Sequence, residues 1–496
     1  VASGFLGIDL GTTLCTAVLV DDTGVVVDGR SEAIATRHPG RGRVEQGPAD
    51  LIQALTMAAE PLLAAHHVRA VGLANQGESF LLWDARTGAP LTPNIVWQDQ
   101  RGDGVCRDLR DRVDPVWLAE RTGLKLDSYF TAPKLSHVLA THPALRRAAQ
   151  DGTLRMGTTD TWAVWCLTGG AVHVTDPSTA SRTLLYNIVE GCWDDTLLAL
   201  FGVPRVILPR VQTSVGALAE LSFPGVPGRV PLWAMLCDQQ AALLGQGCLS
   251  PGEAKCTLGT GAFLLGNLGS RPRLSRTGLL TTVAWQLADG AFTYALDGGV
   301  FCLGAAVQWL AESLRVIPSV AESADLARQA TDDDVVVVPA LSGLSAPRWW
   351  TEARGAALGL SLRTTGADLA RATLDGLACQ VADLVEAMGR DGCVLTLLKV
   401  DGGPTRNGYL TQRLADLCGI PVWVAANPEA TAAGVAHLAA HGCAGVPLED
   451  LARGWRCARV HDPAVTALER ERLRERWRRA VDAVGVFHGR RRLEAP

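Results

Sequence analysis

A chain of 496 residues, 48% hydrophobic and 20% charged, has the length and composition of a globular protein with two or more domains and sizeable cores. Its net charge of −5 gives no electrostatic footing for nucleic acid or an anionic membrane, and the Arg-rich end from Arg470 to Arg492 begins as an alternation with acids, which reads as a solvated helix face. Thirteen cysteines with no Cys-x-x-Cys pair, several in apolar runs (Cys166, Cys302, Cys379), speak against a disulfide framework or a zinc site and for reduced, buried thiols in a cytoplasmic protein.

Taken in order, the first stretch is Phe5-Leu6-Gly7-Ile8-Asp9-Leu10-Gly11-Thr12-Thr13, an apolar run that reads as a buried strand entering a turn. Gly11 frees the backbone there, and Thr12 and Thr13 offer hydroxyls and amides that suit a phosphate. Asp9 repels phosphate unless a cation lies between them, so the turn implies Mg²⁺. An ordinary Asp-x-Gly turn is the alternative. Strands continue to residue 30 around a turn at Asp21-Asp22-Thr23-Gly24, and Leu51 to His67 has the apolar spacing of a helix. Val68 to Ala74 is a short strand ending in Asn75-Gln76-Gly77-Glu78, and Phe80 to Trp83 is the next. This alternation predicts an α/β architecture with a mixed sheet.

Residues 98 to 150 are polar and helical in pattern, broken near Asp127, and Trp162 to Leu167 reads as a further helical segment. Residues 203 to 233, rich in Pro, Gly and Val, read as loops and short strands. Asp238 then follows an apolar run and opens an Ala/Leu-rich helix. Capping that helix is its structural alternative; orienting and deprotonating a substrate hydroxyl toward a phosphoryl donor is the chemical one. Glu78, Trp97 and Tyr129 sit in loops after apolar segments, where an acid beside an aromatic ring suits a polyol, or equally a surface acid and core rings.

Past residue 250 the alternation resumes. A hairpin surrounds Thr257-Leu258-Gly259-Thr260-Gly261, residues 334 to 341 form a β-branched strand, and Leu369 to Met388 has strong helical periodicity. Val400-Asp401-Gly402-Gly403 is a third strand-to-glycine turn, and the end of the chain reads as a helix packed outside the second domain. The partial repeat places a boundary near Gly247 to Gly252, giving domains 1–248 and 249–496. A P-loop and a Gly-x-Gly-x-x-Gly after the first strand are both absent. With no apolar run of about 20 residues and no leader pattern, the chain is expected to be soluble and not exported.

Three phosphate-type turns clasping one nucleotide, together with the loops between them, resemble the FGGY carbohydrate kinases, above all their glycerol-phosphorylating members, from about residue 5 to 442. The matching stretches are Gly7 to Thr13, Asn75 to Glu78, Asn94 to Asp99, Thr122 to Leu135, Asp238 to Leu243, Gly259 to Phe263, Gly304 to Trp309 and Asp401 to Asn407. The resemblance implies an actin-like, ribonuclease-H-like fold of two domains with the active site in the cleft between them. It implies Asp238 as general base and Asp9 as the Mg²⁺ residue, acting through water. Thr12, Thr13, Gly259, Thr260, Gly304, Gln308, Gly403 and Asn407 would contact ATP. Glu78, Trp97, Tyr129, Asp238, Gln239 and Phe263 would line the polyol site.

The chain departs from that pattern at Gly77, where the glycerol-specific members carry an Arg, and at Leu10, Leu14, Thr16 and His137. Losing a guanidinium removes five donors and leaves room for a longer substrate. The expectation is therefore ATP-dependent phosphorylation of a terminal hydroxyl, of glycerol first and of a four- or five-carbon polyol or ketose such as erythritol or xylulose second. A non-catalytic actin-like module sensing ATP or sugar is the rival class. The resemblance also implies a homo-oligomer, a dimer or tetramer, without nucleic-acid or membrane partners.

Overall fold

The computed structural model describes residues 2–489. Two mixed sheets organise it. The first contains β1 (Ser3–Leu10), β2 (Leu14–Val20), β3 (Val26–Ala33), β4 (His67–Asn75), β5 (Val215–Leu221) and β6 (Val230–Cys237), in spatial order β5-β6-β4-β1-β2-β3. Its centre, β6-β4-β1, is parallel, and the register sets Asn75 beside Leu10 on one side and Cys237 on the other. The ends of three strands far apart in sequence thus meet at one edge.

β1 is apolar on both faces because both are covered. Leu6, Ile8 and Leu10 pack on helix α1 (Pro48–Ala65) through Leu51, Leu55 and Leu62. Phe5, on the opposite face, packs with Val18, Ala70, Leu236, Ala432 and Ala436. This period-2 division is what a central strand under two layers requires.

Helix α2 (Asp238–Gly245) leaves β6 and lies between the sheets, its Leu243 and Leu244 in the same cluster as Leu265 and Ala295. The second sheet holds β7 (Ala254–Leu258), β8 (Ala262–Gly269), β9 (Leu280–Gln286), β10 (Phe292–Val300), β11 (Leu398–Asp401), β12 (Val422–Ala425) and β13 (Cys457–His461), in order β9-β10-β8-β7-β11-β12-β13. Helices α3 (Gly304–Glu312), α4 (Gly366–Arg390) and α5 (Gly408–Cys418) pack on it around Leu258, Leu264, Leu377, Val381 and Leu414. A capping box fixes the start of α4: the Thr365 hydroxyl meets the Asp368 amide, and the Asp368 carboxylate accepts from the Thr365 amide.

Helix α6 (Ala430–Ala444) belongs to the C-terminal half in sequence but packs against β1, β4, β6 and α2 of the first. The approach is backbone to backbone. A Cβ on Gly7 would stand 1.8 Å from the Ala432 carbonyl oxygen, and one on Gly434 would stand 1.9 Å from that of Ala241. The terminal helix α7 (Ala467–Phe487) seats Trp477, Val481 and Val484 in the second core.

The strand expected over 334–341 is confined to Val336–Val338, paired with Ala356–Leu358. Pro339 has no N–H to continue the ladder. The thirteen cysteines are unpaired, with Cys302 and Cys379 buried and Cys166 half-buried. Among the described residues no helix is long and apolar enough to cross a membrane.

Candidate active site

The converging strand ends gather carboxylates. Asp9 lies on β1 one residue before its end, Asp238 is the first residue of α2, and Asp401 ends β11. Asp9 Oδ1 is buried with no hydrogen-bond partner. Burial, then the nearby charges of Asp238 and Glu429, hold the Asp9 carboxyl well above the usual range. Asp238 does not cap its helix; Cys237 occupies that position. The Asp238 Oδ1 accepts from the Gln239 amide at 2.7 Å and from the Cys237 thiol at 3.5 Å. Burial raises its carboxyl as well, against the pull of Lys255 and the Gln239 amide.

Lys255, which sequence reasoning passed over, is a buried ammonium donating to Gln239 Oε1 and, at 3.0 Å, to the Thr257 hydroxyl. Burial depresses it, while Asp401, Cys256, Asp238 and Asp297 sustain its charge. Across from it, Asp401 Oδ2 accepts from Gln246 at 2.6 Å. Among the described residues no group of three or more His, Cys, Asp or Glu side chains could enclose a metal unaided. The unpartnered Asp9 oxygen, amid acids, fits instead a cation held largely by water and phosphate oxygens.

Beside the acids is a cage of rings. Trp97 stands edge-on to Tyr129, with centroids 5.5 Å apart, and to Phe263 of β8 at 6.3 Å. The Trp97 indole N–H donates to the Thr12 hydroxyl at 3.0 Å, so the turn after β1 and the cage are joined. Lys134, fully buried, donates to the carbonyls of Trp97 at 3.2 Å and Tyr129 at 2.8 Å, tying the two loops together. Glu78 is held at φ +59°, left-handed backbone that costs a side-chain-bearing residue about 1–2 kcal/mol. Its Oε1 accepts from Arg182 Nε at 2.6 Å, and Arg182 Nη2 reaches Asp297 Oδ2 at 3.0 Å. Burial lifts the Glu78 carboxyl to about 7 despite Arg182.

Arg182 and Asp297 were also missed. Neither lies in a recognisable motif, and only the ion pair between β10 and the segment that follows the Pro177–Ala180 turn of helix puts them beside Glu78. Beside Gly77 the nearest space is taken by neighbouring side chains. A Cβ there would stand 2.8 Å from Cys237 Sγ and 3.6 Å from Arg182 Cγ.

Most of the remaining candidates lie on the second sheet and its helices. Gly259 and Thr260 are stitched to the start of α3: the Gly304 amide donates to the Gly259 carbonyl at 3.0 Å and the Leu303 amide to that of Thr260 at 2.7 Å. A Cβ on Gly304 would stand 3.4 Å from Pro404 Cγ, which brings the Gly403 turn alongside. Gly403 itself faces open space, and the Thr13 and Thr260 side chains are exposed. Gln308 is exposed on α3 and donates to Glu312. The Asn407 side chain is held at the start of α5. Its carbonyl oxygen caps α5 by accepting from Leu410 N, and its amide nitrogen donates to Ser323.

This constellation has counterparts. Residues 5–245 match the N-terminal domain of the FGGY family of carbohydrate kinases, and residues 254–443 match its C-terminal domain. A glycerol kinase of Thermus brockianus is 45% identical over 485 residues, covering 96% of this chain and 97% of its own. One from Bordetella parapertussis is 43% identical over 488 residues, covering 96% of each. The crystal structure of Plasmodium falciparum glycerol kinase with ADP superposes with a TM-score of 0.90 at 28% identity, over 97% of this chain and 98% of that one. With both family domains matched in order and near-complete coverage by its relatives, the chain belongs to the FGGY family of carbohydrate kinases.

Proposed function

We propose that this protein transfers the γ-phosphoryl group of ATP to a terminal hydroxyl of a small polyol, with glycerol as substrate and glycerol 3-phosphate as product. The observation that carries the reading is the placement of Asp238. It is a half-buried carboxylate with a raised proton affinity, near enough for its charge to bear on Tyr129 of the ring cage and on Asp9. Phosphoryl transfer asks for positioning and charge neutralisation more than covalent chemistry.

The rings pack on the C–H face of the polyol while Glu78 and Gln239 engage its hydroxyls. Asp238 accepts the proton of the attacking hydroxyl, a role for which a raised pKa is favourable. The turns at Thr12–Thr13, Gly259–Thr260 and Gly403 surround the nucleotide, with Gly304, Gln308 and Asn407 on its adenosine side. Closure of the cleft excludes water, which would otherwise compete as acceptor. Asp9 fits a Mg²⁺ ion, which when bound neutralises phosphate charge. Assembly as a dimer or tetramer and a cytoplasmic location belong to the same proposal.

A panel of glycerol, erythritol, xylitol, xylulose and gluconate with ATP tests the reading by ADP release. Glycerol should give the highest kcat/KM, and ADP release indifferent to any polyol would refute it. The pH dependence is a second check. Glu78 accepts from hydroxyls as a carboxylate, the form that predominates above about 7. The KM for polyol should therefore fall as pH rises from about 6 to about 8, and the trend should flatten in Glu78→Gln. An unaltered profile in that variant would remove Glu78 as its source.

A further inference from the structure

We infer that Arg182 supplies the substrate-binding guanidinium of this pocket and that Cys237 closes its end, so that the site takes a three-carbon polyol and rejects longer ones. This rests on the polyol-kinase reading above and narrows its substrate.

Arg182 is 4% exposed, and its guanidinium lies over the Phe130 ring at 5.6 Å. Nε is committed to Glu78 and Nη2 to Asp297, but Nη1 is buried with no partner. Buried donors are almost always satisfied, and an unmet one on a charged group is costly. A polyol hydroxyl resolves this, because it accepts from Nη1 and still has a proton to give to an acid beside it. The strained backbone of Glu78 fits the same account: it aims a carboxylate at Arg182, across from Tyr129. The fork left vacant by Gly77 is thus provided from a different part of the chain.

Cys237 settles the size. Its Sγ sits where a side chain on residue 77 would begin, with Arg182 Cβ and Cγ beside it at 3.9 and 3.6 Å. The thiol and the Arg182 stem therefore take up the space directly in front of residue 77, and the proposal is that this is the end a fourth carbon would have to enter.

The test uses the full chain with ATP and three acceptors: glycerol, propane-1,2-diol and propane-1,3-diol. Arg182→Lys keeps the charge but loses the fork. It should raise the KM for glycerol about ten- to hundredfold with the KM for ATP unchanged. The penalty should vanish for whichever diol lacks the hydroxyl that Nη1 meets. An equal penalty on glycerol and both diols, or none on any, would overturn the assignment, with the melting temperature confirming that the variant is folded.

Cys237→Ala, which leaves the ion pairs intact, should raise kcat/KM for erythritol relative to glycerol about tenfold. An unmoved ratio would overturn the size argument. The unaltered protein gives a reading independent of either variant. Turnover of erythritol equal to that of glycerol would defeat this inference and the choice of glycerol while leaving polyol phosphorylation standing, whereas no turnover of any polyol would defeat the kinase reading beneath it.

Discussion

Replacing Asp238 with Asn should lower kcat for polyol phosphorylation by about 10²–10⁴-fold while the protein still binds ATP and ADP. The substitution keeps size and shape and removes only the ability to take a proton. The acceptor contact with the Gln239 amide survives, since a carboxamide oxygen serves there as well. The turns at Gly259–Thr260 and Gly304, proposed to hold the nucleotide, are built by backbone bonds that do not involve Asp238. The loss should therefore fall on the chemical step. Single-turnover phosphorylation and calorimetric titration with ADP separate the two quantities. A variant with near-normal turnover would remove Asp238 as base, and one that loses ADP affinity in parallel would make its role structural.

The largest effect on stability should come from Gly434→Val. The Cβ at this position would stand 1.9 Å from the Ala241 carbonyl oxygen and 2.7 Å from the Gly245 nitrogen. Both are backbone atoms of α2, which cannot rotate aside as a side-chain tip would. The facing contact is equally close, since a Cβ on Gly245 would stand 1.9 Å from the Ala430 carbonyl oxygen. Admitting a branched side chain forces α2 and α6 apart and opens gaps along the Leu243–Leu438 cluster, at a cost of about 3 kcal/mol or more. Chemical denaturation should show an early midpoint. Because α2 carries Asp238, activity should fall below the folded fraction. Gly389→Ala is the matched control. It lies within helix α4 with nothing within 4 Å of the added carbon, so it should stabilise by about 0.5–1 kcal/mol. Equal behaviour of the two variants would remove steric seating as the reason for Gly434.

The main elements were legible because their signals are local. The apolar run of Phe5–Leu10, the helical periodicity of Leu369–Met388 and the breaks around Gly259–Thr260 each lie within twenty residues of sequence. The rings and acids of the site could be read for the same reason: Glu78, Trp97, Tyr129 and Asp238 each stand in a loop or helix start after an apolar segment. Arg182, Asp297 and Lys255 carry no such mark. Arg182 follows a single turn of helix, while Asp297 and Lys255 lie within strands, where a charge reads as an outward-facing residue. What joins Arg182 to Glu78 and Asp297 is pairing between segments over a hundred residues apart, while Lys255 enters through its bond to Gln239 at the start of α2. Helix α6 escaped for a different reason. It is buried on nearly every side, so it lacks the polar stripe by which a helix is recognised. At Gly77 a glycine reports only its own missing side chain; that the Cys237 thiol stands 2.8 Å from where a Cβ would be is set by a strand 160 residues away.

The crossing of α6 into the first sheet bears on how the protein is made. Phe5, Val18, Ala70 and Leu236 are all present when the first sheet leaves the ribosome, yet the residues that cover them lie at 430–444. For most of translation that apolar face has no lid of its own, so the nascent first half is where chaperones and aggregation compete for the chain.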